Sequence, residues 1–332
     1  MGLSLNQHIF SCTLIVCLVL CTAGCNGRKA SSSGAEASAS FGISSGTLQR
    51  TELIDSNGHS AAVAQDARVV SLYGSFAEAW ILAGGTLVGA TQDAIEERRL
   101  NLGDDTLVVG TVKSPDLEKI LSLNPDLVIL SSDIASQTDL TGALTRAGIE
   151  WLSFRTDTFA EYKFMMRQFC TLTGRWDLFE TNVTDVESRI DAILQRIPQD
   201  EADKPSILLM RAFSTGVKAK KDDNLAGVIL KEFGCRNIAE EHPSLLEELS
   251  VEQVITDDPD DIFVLTMGDE GEALAYLQEH VLSHPAWSGL SAIISNRYYV
   301  LPKDLFHNKP NNRWDESYEY LAKILWPEAF GE

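Results

Sequence analysis

The stretch DLEKILSLNPDLVIL, Asp116–Leu130, returns in the second half of the chain as SVEQVITDDPDDIFV, Ser250–Val264. Glu118 aligns with Glu252, Ile120 with Val254, Leu121 with Ile255, Pro125 with Pro259 and Asp126 with Asp260, without a gap. In each copy a short helical pattern stops before a proline, and an apolar run follows. A residue before proline is pushed out of helical geometry. An apolar run of four or more residues suits a strand buried on both faces of a parallel sheet. A helix–strand unit written twice predicts two α/β bodies.

Reading outward, RVVSLYGSFAEAWILAGG from Arg68 predicts a strand over Val69, Val70 and Leu72, a turn at Gly74 and Ser75, and a helix from Phe76 to Ala83. LVGAT and LVVGTV are further strands. Ser114 with Pro115 behind it predicts the start of the helix that holds Glu118. LTGALTRAG is a helix stopped at Gly148, and IEWLSF is the next strand. The second half repeats the plan with SILLM, NLAGVILKEFG, a capping box from Ser250 to Gln253, RYYVL, and a terminal helix WDESYEYLAKIL. Between the halves, Phe179, Val183, Val186, Ile190, Ile193 and Ile197 form one apolar stripe at helical spacing. The fold expected is α/β: two Rossmann-like lobes with mostly parallel sheets, joined by one long helix.

Composition bounds the function. A formal net charge of -21 opposes binding to nucleic acid and to anionic lipid through a basic surface. The apolar run IFSCTLIVCLVLCTAGC, from Ile9 to Cys25, has the length of a signal-peptide core. Its end, Thr22-Ala23-Gly24-Cys25, resembles a bacterial lipobox, which implies lipidation of Cys25. It departs from that pattern at Thr22 and in an n-region without Lys or Arg. An uncleaved N-terminal anchor is the other reading. The Ser-, Gly- and Ala-rich segment that follows has little to bury and reads as a tether. The expected boundaries are 1–25 signal peptide, 26–66 tether, 67–157 N-terminal lobe, 158–198 helical connector and 199–332 C-terminal lobe, with order beginning near Arg68. Cys170 and Cys235 lie in apolar helical surroundings and read as packing thiols. A disulfide between them is open on the sequence.

This order of elements resembles the class III substrate-binding proteins of bacterial ABC importers, which deliver ferric siderophores, haem and cobalamin. The resemblance rests on RVVSLYGSFAEAWILAGG, VGTVKSPDLEKILSLNPDLVIL, SVEQVITDDPDDIFVL and NRYYVLPKDLF, and covers Arg68 to Pro327. It implies a monomeric lipoprotein on the extracytoplasmic face of the cell membrane that takes a metal chelate into the cleft between its lobes. The partners implied are a permease dimer and its ATPase. Glu118 and Glu252 would dock, one per lobe, on arginines of the two permease subunits. Both glutamates also suit the first turn of a helix through its dipole. The stiff connector implies closure of a few degrees. The cargo expected is an iron complex of siderophore type, with haem or a corrinoid as alternatives. No cofactor is expected.

Ligands of open α/β sheets sit beyond the carboxyl ends of the strands. That rule selects Tyr73, Gly74 and Ser75, then Lys113 and Ser114, then Arg211, Phe213 and Ser214, then Phe306, His307, Asn308 and Lys309. Arg211, Lys218, Lys220 and Lys221 gather positive charge suited to an anionic ligand. For Lys220 and Lys221 a surface loop balanced by Asp222 and Asp223 reads equally well. Arg313 is a further pocket candidate, whereas Trp314, Tyr318 and Leu321 read as the core face of the last helix. Tyr73 is placed either to ligate iron or to form a wall. His280 and His284 precede Pro285 with no third histidine near, which speaks against a bare metal site. An enzyme, such as a chelatase of similar build, remains the other class. GxGxxG, P-loop, GxSxG and HExxH patterns are absent from the chain.

Overall fold

Both copies of the repeated phrase fold as a short helix that runs into a central strand. The structure, a computed structural model, describes residues 50–200, 204–242, 244–247 and 249–331. The strands are β1 (Arg50–Ile54), β2 (Ser60–Ala64), β3 (Val69–Ser71), β4 (Gly89–Ala90), β5 (Leu107–Val108), β6 (Gly110–Thr111), β7 (Ser114–Pro115), β8 (Leu127–Ser131) and β9 (Glu150–Phe154) in the first lobe. The second lobe has β10 (Ser206–Phe213), β11 (Gly216–Ala219), β12 (Arg236–Asn237), β13 (Asp261–Thr266) and β14 (Tyr298–Val300). The first sheet runs β5-β4-β3-β8-β9, all parallel. The second runs β11-β10-β13-β14, with β12 also on β10, and only β11 is antiparallel. Both lobes belong to one compact unit, Leu48–Glu332. The α/β fold with mostly parallel sheets is as expected.

The repeat extends to single hydrogen bonds. Asp116 caps the helix Leu117–Ser122, its carboxylate accepting from the Lys119 N–H at 3.1 Å. Ser250, its counterpart, caps Val251–Asp257 through the Gln253 N–H at 3.4 Å. The cap expected at Ser114 is therefore wrong, because Ser114 and Pro115 pair with β6 instead. The capping box at Ser250 is only half made, since the Gln253 amide donates to Asp257 at 2.9 Å. Each helix exits through a left-handed residue, Asn124 with φ 44° and Asp258 with φ 40°. Asn and Asp tolerate that region better than other side-chain-bearing residues. Then Asp126 accepts the N–H of Arg68 at 2.8 Å, and Asp260 accepts that of Ser206 at 2.9 Å. Each aspartate thereby ties its own strand to the start of the neighbouring strand. Ile120 packs with Val128 and Leu130, and Val254 with the matching Ile262 and Val264.

A third apolar cluster joins both lobes and the connector, through residues such as Ile129, Phe169, Val186, Leu209, Phe263 and Trp314. The connector begins with the helix Phe159–Thr173, held by a full Thr158/Glu161 capping box. The predicted long helix follows as Trp176–Phe179 and Asp185–Leu194, but not as one α-helix. A π-turn, Glu180–Thr184, interrupts it, and Ile197 lies beyond its end. All six stripe residues are buried or nearly so. In the π-turn, buried Asn182 donates to the Leu82 carbonyl at 3.1 Å and accepts from Asn312 at 3.0 Å. A backbone widened by one residue per turn turns this polar side chain toward partners on both sides.

The tether expected to reach residue 66 ends earlier. Residues 50–64 form an antiparallel hairpin, with Leu53, Ala61 and Val63 in the core. Asp55 anchors it by accepting from the N–H and hydroxyl of Ser153 at 3.0 and 2.6 Å, and His59 stacks on Trp151 at 3.8 Å. The signal was present: Asn57-Gly58 is a hairpin-turn pair, and Gly58 takes φ 81°. The signal peptide, Cys25 and most of the tether lie outside the described residues.

Candidate functional site: a two-compartment cleft

The strand order of the first lobe reverses between β3 and β8, and that of the second between β10 and β13. At such switch points the loops after the strands part and leave a crevice. Tyr73 and Asp133 stand just beyond β3 and β8. Arg211 is on β10, and Met267 follows β13. These residues line a cleft between the lobes with two compartments, which share Tyr73, Met267 and His307. The first, about 370 Å³, adds Asp133, Asp157, Arg211, Lys220, Phe306 and Lys309. The second, about 490 Å³, adds Asp93, Glu97, Lys113 and Phe213. Such volumes fall in the range of small-molecule sites.

Burial and charge set the electrostatics. Desolvation lowers the pKa of the Arg211 guanidinium, opposed by the more distant Asp157 and Asp223. Among the described residues no ion pair is made by Arg211. Burial also holds His307 neutral, with a pKa lowered to about 4. Lys303, Arg211, Lys309 and Lys113 add to that shift. Asp157 is the opposite case. Burial works against its carboxylate, but Lys309 and Arg155 outweigh that and hold it below the ordinary value. The ion pair from Lys309 to Asp157 crosses from one lobe to the other. Beside it, the Lys309 N–H donates to the Ser75 hydroxyl at 3.3 Å, and the Asn311 amide donates to the Ser75 carbonyl at 2.9 Å.

The structure thus brings Tyr73, Lys113, Arg211, Phe213, Lys220, Phe306 and His307 to one cleft. Four other candidates are elsewhere. Gly74 is buried, and its N–H donates to Asp93 at 2.6 Å. Ser75 is buried in the stitch to Lys309 and Asn311. Ser114 is held in the β6–β7 ladder. Arg313 makes a two-pronged pair with Glu316 at 3.0 and 2.8 Å, as an i, i+3 neighbour at the start of the last helix. The basic stretch also divides, because β10 and β11 form a hairpin there. Lys218 is exposed on β11, Lys221 pairs with Glu240 at 3.4 Å, and only Lys220 turns into the cleft, beside Asp223 at 3.7 Å.

Sequence reasoning missed Asp93, Glu97, Asp133 and Asp157 as cleft residues. In a chain with 48 acidic residues they do not stand out. Their placement after β4, β8 and β9 is the one signal that marks them. Cys170 and Cys235 are free and buried, and burial pushes their thiols up to about 11 and about 12. No group of three His, Cys, Asp or Glu side chains among the described residues is placed to hold a metal ion. No helix among them is long and apolar enough to cross a membrane. Glu118 and Glu252 are exposed, each second in its helix and without an ion pair among the described residues. Each helix leads to the amino end of the central strand that follows it, Leu127–Ser131 and Asp261–Thr266.

Known proteins match this chain along most of its length. The Fe(3+)-citrate-binding protein YfmC of Bacillus subtilis (strain 168) is 24% identical over 301 residues, covering 89% of each chain. The crystal structure of Staphylococcus aureus SirA complexed with staphyloferrin B superposes with a TM-score of 0.64 at 19% identity, covering 84% of this chain and 98% of that one. That of S. aureus IsdE complexed with heme does so with a TM-score of 0.66 at 16% identity, covering 78% and 99%. These solved structures share the two-lobed fold. The periplasmic binding protein family matches residues 69–305, and the chain belongs to that family.

Proposed function

We propose that the protein is the extracytoplasmic substrate-binding component of an ABC importer. It takes a ferric chelate of siderophore type into the cleft and passes it to a membrane permease. The observation that carries this reading is Arg211, a desolvated guanidinium in the cleft without an ion-pair partner among the described residues. A charge so placed awaits an anion, and a guanidinium matches a carboxylate with two parallel hydrogen bonds. Membership of a binding-protein family and the iron-citrate relative support the reading. The role is capture and release of cargo, with no chemical conversion.

Delivery uses Glu118 and Glu252, one acidic contact per lobe for the two halves of a permease dimer. The protein works as a monomer, held at the outer membrane-facing surface by a lipid on Cys25. Purified protein titrated with ferric citrate and followed by tryptophan fluorescence tests the cleft. Arg211→Ala is expected to weaken binding by about 10- to 100-fold, the range for a charge-assisted hydrogen bond pair. Unchanged affinity would remove Arg211 from the site. Glu118→Ala with Glu252→Ala should abolish uptake in cells while leaving affinity intact. Retained uptake refutes docking by these residues.

Haem is the second reading. Tyr73 and His307 both line the cleft, and tyrosine and histidine both ligate haem iron. A visible spectrum of the protein purified from its own host separates ferric chelate, haem and corrinoid.

A further inference from the structure

The two compartments of the cleft differ in what they lack. Around Arg211 two of the three carboxylates are matched, Asp157 to Lys309 and Arg155, and Asp223 to Lys220, while Asp133 makes no ion pair among the described residues. In the other compartment Asp93 and Glu97 make no ion pair among the described residues. Asp93 is 9% exposed. One oxygen, Oδ2, accepts the Gly74 N–H at 2.6 Å, and the other, Oδ1, is buried without a hydrogen-bond partner. Burial raises the pKa of Asp93, opposed in part by the nearby Thr91 hydroxyl and by the backbone N–H groups of Gly74, Asp93 and Ala94, yet neither the Thr91 hydroxyl nor Oδ1 finds a hydrogen bond of ordinary geometry.

The arrangement is built in. A Cβ at position 74 would fall 2.7 Å from both Asp93 Oδ2 and the Ala94 nitrogen, so only glycine lets the loop clamp the carboxylate from that side. Glu97, an exposed residue, follows at i+4; partial desolvation of its carboxyl and the charge of Asp93 raise its pKa against the opposing charge of Lys303. Two cations of this region, Lys303 and Lys113, do not close the pair. Lys303 donates to the Gly268 carbonyl at 2.7 Å, and Lys113 is exposed on the rim. A buried acceptor left unfilled costs roughly 1–3 kcal/mol. Such a group is kept where something else supplies the donor.

We propose that Asp93 and Glu97 form a subsite for a protonated amine on the transported chelate, at the opposite end of the cleft from the carboxylate held by Arg211. This deepens the ferric-chelate reading and rests on it. The cargo is then bipolar, with an ammonium at one end and acid groups at the other.

The test is a matched pair of ferric hydroxamates, one with a free primary amine and one with that amine acetylated. Ferric citrate serves as the anionic reference. The parent protein should prefer the free amine by about tenfold, the scale of one charge-assisted hydrogen bond. Asp93→Asn keeps the shape of the clamped residue, and Glu97→Gln alters only the less buried partner. Each should bring the amine-to-acetyl ratio close to one. Equal affinity of the parent for both chelates overturns the subsite, and so does a preference that survives in both variants. Loss of binding to all three probes overturns the ferric-chelate reading and the subsite with it.

Discussion

The two lobes share a scaffold and differ in the face they turn to the cleft. The first contributes Tyr73, Asp93, Glu97, Asp133 and Asp157. The second contributes Arg211, Lys220, His307 and Lys309. Apart from Lys113 on the first and Asp223 on the second, one wall is acidic and the other basic, on frames that match down to the cap, the left-handed exit residue and the strand-tying aspartate. The repeat is retained where a helix must enter a strand and where an exposed glutamate must be held. It is abandoned at the strand ends, where the cleft is lined. The difference teaches that the frame constrains backbone and core, and the loops beyond it carry specificity.

The largest effect that probes this comparison lies in the two outer cores. Ile120→Ala should cost about 2–5 kcal/mol and Val254→Ala about 2 kcal/mol, since both side chains are fully buried. One apolar cluster threads both lobes, so denaturant unfolding should show a single transition in each variant. Two separated transitions would break the picture of coupled lobes.

A smaller effect comes from a buried position where the copies disagree. Leu127 in the first lobe corresponds to Asp261 in the second, which is buried, and desolvation raises its pKa to about 6. A carboxyl with a folded value above its unfolded value favours the folded state at low pH, and loses that advantage as pH rises through the folded value. Asp261→Leu should therefore stabilise at pH 8 by about 1–3 kcal/mol. The gain should shrink as pH falls from 6 toward 4. His307 acts with the opposite sign over a similar range, its lowered pKa costing stability as pH falls below about 6.5. The profile must therefore be read as variant minus parent. A gain that does not depend on pH would assign the effect to packing.

The smallest effect separates the left-handed exits. Asp258 accepts from the N–H and hydroxyl of Ser291 at 2.8 and 2.6 Å, whereas the Asn124 side chain makes no hydrogen bond among the described residues. Asn124→Gly should be neutral or gain up to about 0.5 kcal/mol, while Asp258→Gly should lose about 1 kcal/mol. Thermal melts of the two variants distinguish them.

Much of this was legible in the sequence because the repeated phrase carries its own punctuation. Pro125 and Pro259 mark the helix ends, and the runs after them read as buried strands. The terminal helix was equally plain, with Trp314, Tyr318 and Leu321 buried as their spacing implied. The hairpin at residues 50–64 was obscured because its short strands, the second rich in alanine, lie beside a low-complexity segment. The π-turn left no trace, since four–three spacing reads alike whether or not one turn is widened. Half of the cleft was missed for another reason. Basic residues are conspicuous in an acidic chain, and functional carboxylates are not.

The bridge from Lys309 to Asp157, with Asn311 and Asn182 fastened behind it, has a consequence for transport. A gap already strapped at its mouth and spine changes little in outline when filled, so cargo is not taxed by a large rearrangement on arrival. In the importer role proposed above, a permease would then meet nearly the same silhouette full or empty. The importer must then sense occupancy through the strap itself or tolerate idle encounters, and cells that overproduce the empty carrier should consequently show slower uptake.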